Sequence, residues 1–328
     1  MTAAAPDAPR TCVFGAGAVG TLVAARLSAA GRPVTVVARG ARLAALRRDG
    51  LVLRDAAGCV SRVPARACAA DEAGPQDLLL LAVKAQDIAG ALPALQPLIT
   101  PETRIVPLVN GIPWWYFQPQ RHGIVRAVDP EGRIAAAIDP ARIIGAVLFL
   151  TSTLQPDGVV DVQGTERLIL GAIAGPDEAS VAPVRALFEG CGIAVQASDE
   201  IRRDLWAKVA LNLATNPLSV IAGATLHEQF HDPALLPVVR AVLEESIAVA
   251  RAHGIEPRLA LDEMIEVGRR AGPFYTSMAQ DFRRGAPLEM GAIGLSVLEL
   301  AESAEIAMPT ARAMVELCRF RAAKREVG

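Results

Sequence analysis

The run Thr11-Cys-Val-Phe14, followed at once by Gly15-Ala-Gly-Ala-Val-Gly20, constrains this chain more than any other stretch. A short β-rich segment leads into a Gly-x-Gly-x-x-Gly turn. The turn leads into Thr21-Leu-Val-Ala-Ala-Arg-Leu-Ser-Ala-Ala30, a helix that Gly31 stops, and a second strand, Val34-Thr-Val-Val37, follows. Strand, glycine turn, helix and strand within about 30 residues is the context a dinucleotide-binding turn requires. Gly15 permits the tight turn, Gly17 lets backbone approach a diphosphate, and Gly20 lets helix pack closely on strand. With Ala16, Ala18 and Val19 they form a loop that opens a helix, whose N–H groups and positive dipole end suit phosphate. The expected fold class is therefore α/β, beginning with a Rossmann-type dinucleotide-binding domain.

The end of the second strand selects between dinucleotides. An Asp or Glu there holds a free ribose 2′-hydroxyl, whereas Arg suits a 2′-phosphate. The sequence is Val37-Ala38-Arg39-Gly40-Ala41-Arg42, with no acid, so NADP(H) is favoured and Arg39 is the leading contact. The competing reading is a surface arginine in an arginine-rich chain. Two further apolar runs, Leu78–Val83 and Ile105–Val109, read as buried parallel strands. Lys84 and Asn110 stand at their carboxyl edges, where ligands of open parallel sheets bind. Later apolar pieces, Ala146–Leu150, Val159–Val162 and Leu168–Leu170, read as an antiparallel extension of the sheet. Residues 114–142, with their aromatic start Trp114-Trp-Tyr-Phe117, fit a lid, a partner surface or a long loop.

At 328 residues the chain exceeds what one core usually organises, about 250–300 residues, so two domains are expected. A net charge of −2 gives no electrostatic reason to expect nucleic acid or an anionic membrane as partner. Five scattered cysteines with no C-x-x-C suit a reducing cytoplasm rather than a disulfide framework. Met1–Arg10 lacks a basic start followed by an apolar run, so no signal peptide is expected. No apolar stretch reaches the ~18 residues of a membrane span without a charge, so none is expected.

From Asp199 onward the β signals give way to helical periodicity, which places the boundary between domains 1–199 and 200–328. Asp199–Asn216 reads as a helix with acids at its start and its end before Pro217. The chain has thirty arginines but only three lysines, Lys84, Lys208 and Lys324, and lysine is the cation whose proton can be given up. Lys324 lies in the charged tail. Lys208, Asn212 and Asn216 are four apart, so on a helix they drift by only about 40° per step and share an edge. Their neighbours are apolar, so the ammonium and amides need partners or face a ligand, unless the edge is a solvated stripe. Farther on, Glu289 opens a long apolar helix running to about Ala304, where a lone acid is most simply a dipole partner.

The chain resembles the ketopantoate reductase family from about residue 11 to 318. The resemblance rests on the glycine turn, Val83-Lys84-Ala85, Val109-Asn110-Gly111, Trp206-Ala-Lys208 with Asn212 and Asn216-Pro-Leu218, Ser277-Met-Ala-Gln-Asp281, and Glu289. It implies a Rossmann-type domain followed by an all-α domain of the 6-phosphogluconate dehydrogenase C-terminal type. It implies NADPH-dependent reduction of 2-dehydropantoate to pantoate, on the route to pantothenate and coenzyme A. By the same resemblance Lys208 is the general acid, and Glu289 contacts the substrate and helps hold Lys208. Asn212, Asn216 and Ser277 would bind the substrate's polar ends, while Asn110 and Lys84 order the nicotinamide end and the substrate. A small-molecule partner and a possible homodimer follow, with no resident metal.

Two departures bear on the substrate. The family's helix usually reads Glu-Ile-Asp and then Asn-Gly, whereas here Glu289-Met290-Gly291 and Ile293-Gly294 lack both the Asp and the Asn. The 114–142 stretch is also longer than in compact members. A reductase of a different 2-keto acid, or a non-catalytic NADP-binding protein of the same fold, therefore competes with the first reading. His227-Glu-Gln-Phe-His231 matches the H-E-x-x-H zinc motif, but Asp232-Pro233 stops the helix where a metallohydrolase needs it to continue.

Overall fold

The computed structural model describes residues 9–119 and 123–326. The signal-peptide reading concerns mainly residues 1–8 and lies outside them. The chain folds into two compact units, Met1–Val109 with Ala137–Ile201 and Asn110–Ala136 with Arg202–Gly328. The units therefore interleave along the sequence.

Among the described residues the first unit holds ten strands: β1 (Thr11–Phe14), β2 (Val34–Val37), β3 (Leu51–Arg54), β4 (Val60–Val63), β5 (Arg66–Cys68), β6 (Gln76–Leu81), β7 (Ile99–Pro107), β8 (Ile144–Leu154), β9 (Val160–Ala172) and β10 (Ala194–Ala197). One sheet has the order β5-β2-β1-β6-β7 and is parallel throughout. Strand order reverses between β1 and β6, the position where open α/β sheets bind ligands beyond their carboxyl ends. Cys12–Phe14 of β1 and Leu78–Leu81 of β6 are apolar and buried, as in parallel strands covered on both faces.

The later apolar pieces do not extend this sheet. They belong to a second sheet ordered β10-β9-β3-β4, with β8 antiparallel to β9. Val159–Val162 and Leu168–Leu170, read as separate pieces, fall almost wholly within the single strand β9, which starts at Val160. Its register slips opposite Phe149/Thr151, where Gly164 takes φ +71° and absorbs the extra residues of a bulge. The helix Ala18–Ala29 is apolar nearly all round, as a helix buried on several sides must be. It packs against strands of both sheets, with Leu22, Val23 and Leu27 fully buried.

The second unit is helical. Its helix Ile201–Ala222 begins after the two acids and runs through Pro217, so the helix end expected at Asn216 is not observed. Leu218 and Val220 are 6% and 2% exposed, and burying them outweighs the hydrogen bond that proline removes. The helix Leu236–Ala252 packs against Leu226–His231, Leu261–Arg269, Ser296–Ser303 and Pro309–Glu326. Trp114, Trp115 and Tyr116 are buried, so the aromatic start of the 114–142 stretch is core rather than lid. Tyr116 Oη accepts from Trp206 Nε1 at 2.9 Å, and the buried Arg202 donates to the Tyr116 and Gln118 carbonyls. No helix among the described residues is long and apolar enough to cross a membrane.

Candidate active site

In the first unit the glycine turn is built from backbone demands. Gly15 sits at φ +105°, and a Cβ there would lie 2.8 Å from the Ala82 carbonyl oxygen. A Cβ at Gly20 would lie 1.9 Å from the Gly15 oxygen. Gly17 differs: a Cβ there would meet nothing within 4 Å, because its open side faces away from the protein. Gly17 is also the N-cap of the helix Ala18–Ala29 and offers no side-chain cap, so first-turn N–H groups stay available. Ala16 is buried beneath the turn, and Ala18 and Val19 are half-buried in it. An open glycine, uncapped amides and a helix dipole fit the diphosphate of a dinucleotide.

The two arginines after β2 separate in the structure. Arg42 braces the turn: it donates to Ala16 O at 2.9 Å, Thr21 Oγ1 at 2.8 Å and Gly158 O at 3.0 Å. Burial lowers its pKa from the ordinary arginine value. Arg39 is exposed, and its side chain makes no hydrogen bond or ion pair among the described residues. It is the arginine available to a ligand, whereas Arg42 is committed to the protein. Lys84 lies three residues beyond β6 and precedes the short 3₁₀ turn Ala85–Asp87.

In the second unit, Lys208, Asn212 and Asn216 line one edge of the helix Ile201–Ala222. The Lys208 ammonium donates to Asn110 Oδ1 at 2.9 Å, joining residues 98 apart in sequence. Asn216 is only 4% exposed, yet neither its amide nor that of Asn212 is hydrogen-bonded by the side chain to any described residue. Buried amides rarely stay unpaired, so this edge is suited to a polar ligand rather than to a solvated surface. Ser277 is the exposed first residue of the helix Ser277–Arg283, whose cap is Thr276. Glu289 immediately precedes Met290, where helix resumes, one residue later than the sequence suggests.

Gly291–Leu295 form a π-turn before the α-helix Ser296–Ser303. No periodicity signal marks it, and the sequence reading missed it. Gly291, where an Asp was expected, has a plain steric reason: a Cβ there would lie 2.7 Å from the Ala127 carbonyl oxygen. The Arg126 and Ala127 amides donate to the two Glu299 carboxylate oxygens, each at 2.8 Å. The backbone of the 114–142 stretch thus occupies the space beside residue 291 that a side chain would need.

The zinc-like motif has another use. Its helix spans only Leu226–His231, and Glu228 is the partner of a capping box with Thr225. His231 Nδ1 contacts the His227 carbonyl at 2.8 Å. Among the described residues no group of three or more His, Cys, Asp or Glu is arranged to hold a metal ion.

The family model described as ketopantoate reductase PanE/ApbA matches residues 11–175, and its C-terminal companion matches 200–322. A 2-dehydropantoate 2-reductase of Mesorhizobium japonicum is 35% identical over 323 residues, covering 95% of this chain and 98% of the relative. A solved structure from Ralstonia solanacearum, assigned as a ketopantoate reductase, has 36% identity and a TM-score of 0.91. It covers 98% of this chain and 99% of the other. A D-mandelate dehydrogenase solved with NADH and anilino(oxo)acetate shares the fold, with a TM-score of 0.83 at 21% identity over 96% of this chain and 98% of the other. Two matched family models and full-length similarity place this chain in the ketopantoate reductase family of oxidoreductases.

Proposed function

We propose that the protein reduces a 2-keto acid to the 2-hydroxy acid with NADPH, and that 2-dehydropantoate is the substrate. Bound, NADPH supplies the hydride. Gly15, Ala16, Gly17, Ala18, Val19 and Gly20 would hold its diphosphate through backbone N–H groups, and Arg39 its 2′-phosphate. Lys84 and Asn110 would order the nicotinamide end.

Hydride addition turns a ketone into an alkoxide, and Lys208 is the acid that protonates this oxygen. An ammonium both neutralises the developing charge and delivers the proton, which an arginine at the same place would not do. Asn110 holds the ammonium in place through Oδ1. Asn212, Asn216 and Ser277 orient the keto acid's polar ends without competing for the proton, and Glu289 binds its hydroxyl. The observation that carries this reading is the Lys208–Asn110 hydrogen bond at 2.9 Å, beside two amides left for a ligand.

The Gly291–Ala127 packing favours a second reading, reduction of a different 2-keto acid, because it changes the protein surface two residues after Glu289. A non-catalytic dinucleotide-binding protein of this fold is the remaining alternative. NADPH and NADH oxidation across a panel of 2-keto acids that includes 2-dehydropantoate and phenylglyoxylate tests all three. Turnover of 2-dehydropantoate above the others supports the first, and a different best substrate supports the second. No turnover by folded protein that binds NADPH leaves only the third. We also propose a cytoplasmic homodimer, consistent with five free cysteines; a monomer mass by light scattering would contradict the dimer.

A further inference from the structure

The π-turn Gly291–Leu295 has a consequence for Lys208. The Ser296 amide donates five residues back, to Gly291 O, instead of four back to Ala292 O. The Ala292 carbonyl accepts instead the buried Ser296 hydroxyl at 2.6 Å and the Ile112 amide at 2.7 Å. The Ile112 bond draws the chain Asn110-Gly111-Ile112 onto the turn. Contact there is close enough that a Cβ on Gly111 would lie 2.2 Å from Ala292 O, and Gly111 also takes φ +81°, where a side chain is strained. Asn110, one residue earlier, then presents Oδ1 to the Lys208 ammonium. Glu289 is joined to the same turn, since its carbonyl accepts from the Ile293 amide at 3.1 Å. On its other side the turn meets Ala127, held by Glu299.

We infer that this π-turn is a positioning device: it fixes Asn110 on the Lys208 ammonium and sets Glu289 from the same backbone element, with Gly111 and Ser296 as positioning residues. The inference rests on the proposed role of Lys208 as acid. All these bonds lie within the helical unit, so the device acts on proton delivery and not on the glycine turn. π-Bulges are often found at functional sites because they re-aim backbone groups that a regular helix would consume. Here the re-aimed group is the Ala292 carbonyl.

The test uses the scarcity of lysine. Protein labelled with ¹⁵N at lysine Nζ carries only Lys84, Lys208 and Lys324, and Lys208→Arg assigns the middle signal by its loss. Gly111→Ala should displace Asn110, remove an acceptor from the charged form and move the Lys208 titration downward. The Lys84 and Lys324 signals serve as internal references. Turnover should fall by about 10²-fold, the scale of a misplaced catalytic group, with NADPH affinity within about twofold of the parent. Ser296→Ala, which keeps the backbone, should move the same signal in the same direction by less, and decides the matter if Gly111→Ala does not fold. An unmoved Lys208 titration in folded variants overturns the inference. A moved titration in a protein that reduces no 2-keto acid upholds the positioning and overturns the proposed function instead.

Discussion

The glycine turn and the Lys208 edge prepare for ligands in opposite ways. At the turn, the groups on offer are backbone amides, and side chains are excluded: a Cβ at Gly20 would collide with the Gly15 oxygen, while Gly17 opens outward. At the Lys208 edge the groups are side chains, an ammonium and amides set among apolar neighbours on one helix and met by Asn110 from a distant loop. A backbone site tolerates little change of residue size but needs no partner from elsewhere in the chain. A side-chain site depends on long-range contacts that bring its members together. The two should therefore fail differently when altered.

The largest effect expected at the turn comes from Gly20→Ala. The added methyl forces backbone apart, and NADPH affinity should drop by about 10²-fold, the upper end of what overpacking costs. Fluorescence titration with NADPH measures it, and near-parent affinity would mean the turn does not hold the diphosphate. Arg39→Ala should weaken NADPH by about tenfold to a hundredfold, the loss of a charge-assisted contact, and leave NADH unchanged. Equal effects on both cofactors would remove the 2′-phosphate role. Arg42→Ala is the contrasting case. It loses three hydrogen bonds to the turn and its surroundings, so it should cost stability, about 1.5–3 kcal/mol in urea unfolding, and weaken both cofactors alike.

The smallest effect concerns the buried thiols, Cys12 of β1 and Cys318 of the helix Pro309–Glu326. Burial pushes the Cys12 thiol up to about 12 and the Cys318 thiol up to about 11, whereas Cys59 is exposed. A raised folded value means the stabilisation is complete below the ordinary thiol pKa of about 8.5 and is lost as pH climbs through the folded value. The folded protein should therefore be alkylated first at Cys59, followed by mass spectrometry, with Cys12 and Cys318 labelled only as alkaline unfolding proceeds. Early labelling of Cys12 would contradict the buried strand.

The same contrast explains what the sequence made legible. β1 and β2 appear at the expected residues because a local pattern of glycine and β-branched residues sets them. The four-residue spacing of Lys208, Asn212 and Asn216 needs only helix geometry and was equally plain. The helix end at Pro217 misled because tertiary burial of Leu218 and Val220 overrides a local breaker. β8 and β9 were recognisable as apolar pieces, but which sheet they join depends on pairing with β3 and β10, which no local signal encodes. Arg39 and Arg42 look alike in sequence and differ only through contacts with Ala16, Thr21 and Gly158. The Glu299 clamp was invisible because it joins residues 173 positions apart, and the π-turn because its single five-residue step leaves no mark on local periodicity.

The central claim is that Lys208 delivers the proton while the glycine turn holds the cofactor. Steady-state turnover of the best 2-keto acid by Lys208→Ala, measured alongside its NADPH affinity, tests it most directly. Turnover should fall by about 10²–10⁴-fold, the usual contribution of a general acid, with NADPH affinity nearly unchanged. Parent-like turnover in the variant, or a loss of NADPH binding that accounts for the whole decrease, would contradict it.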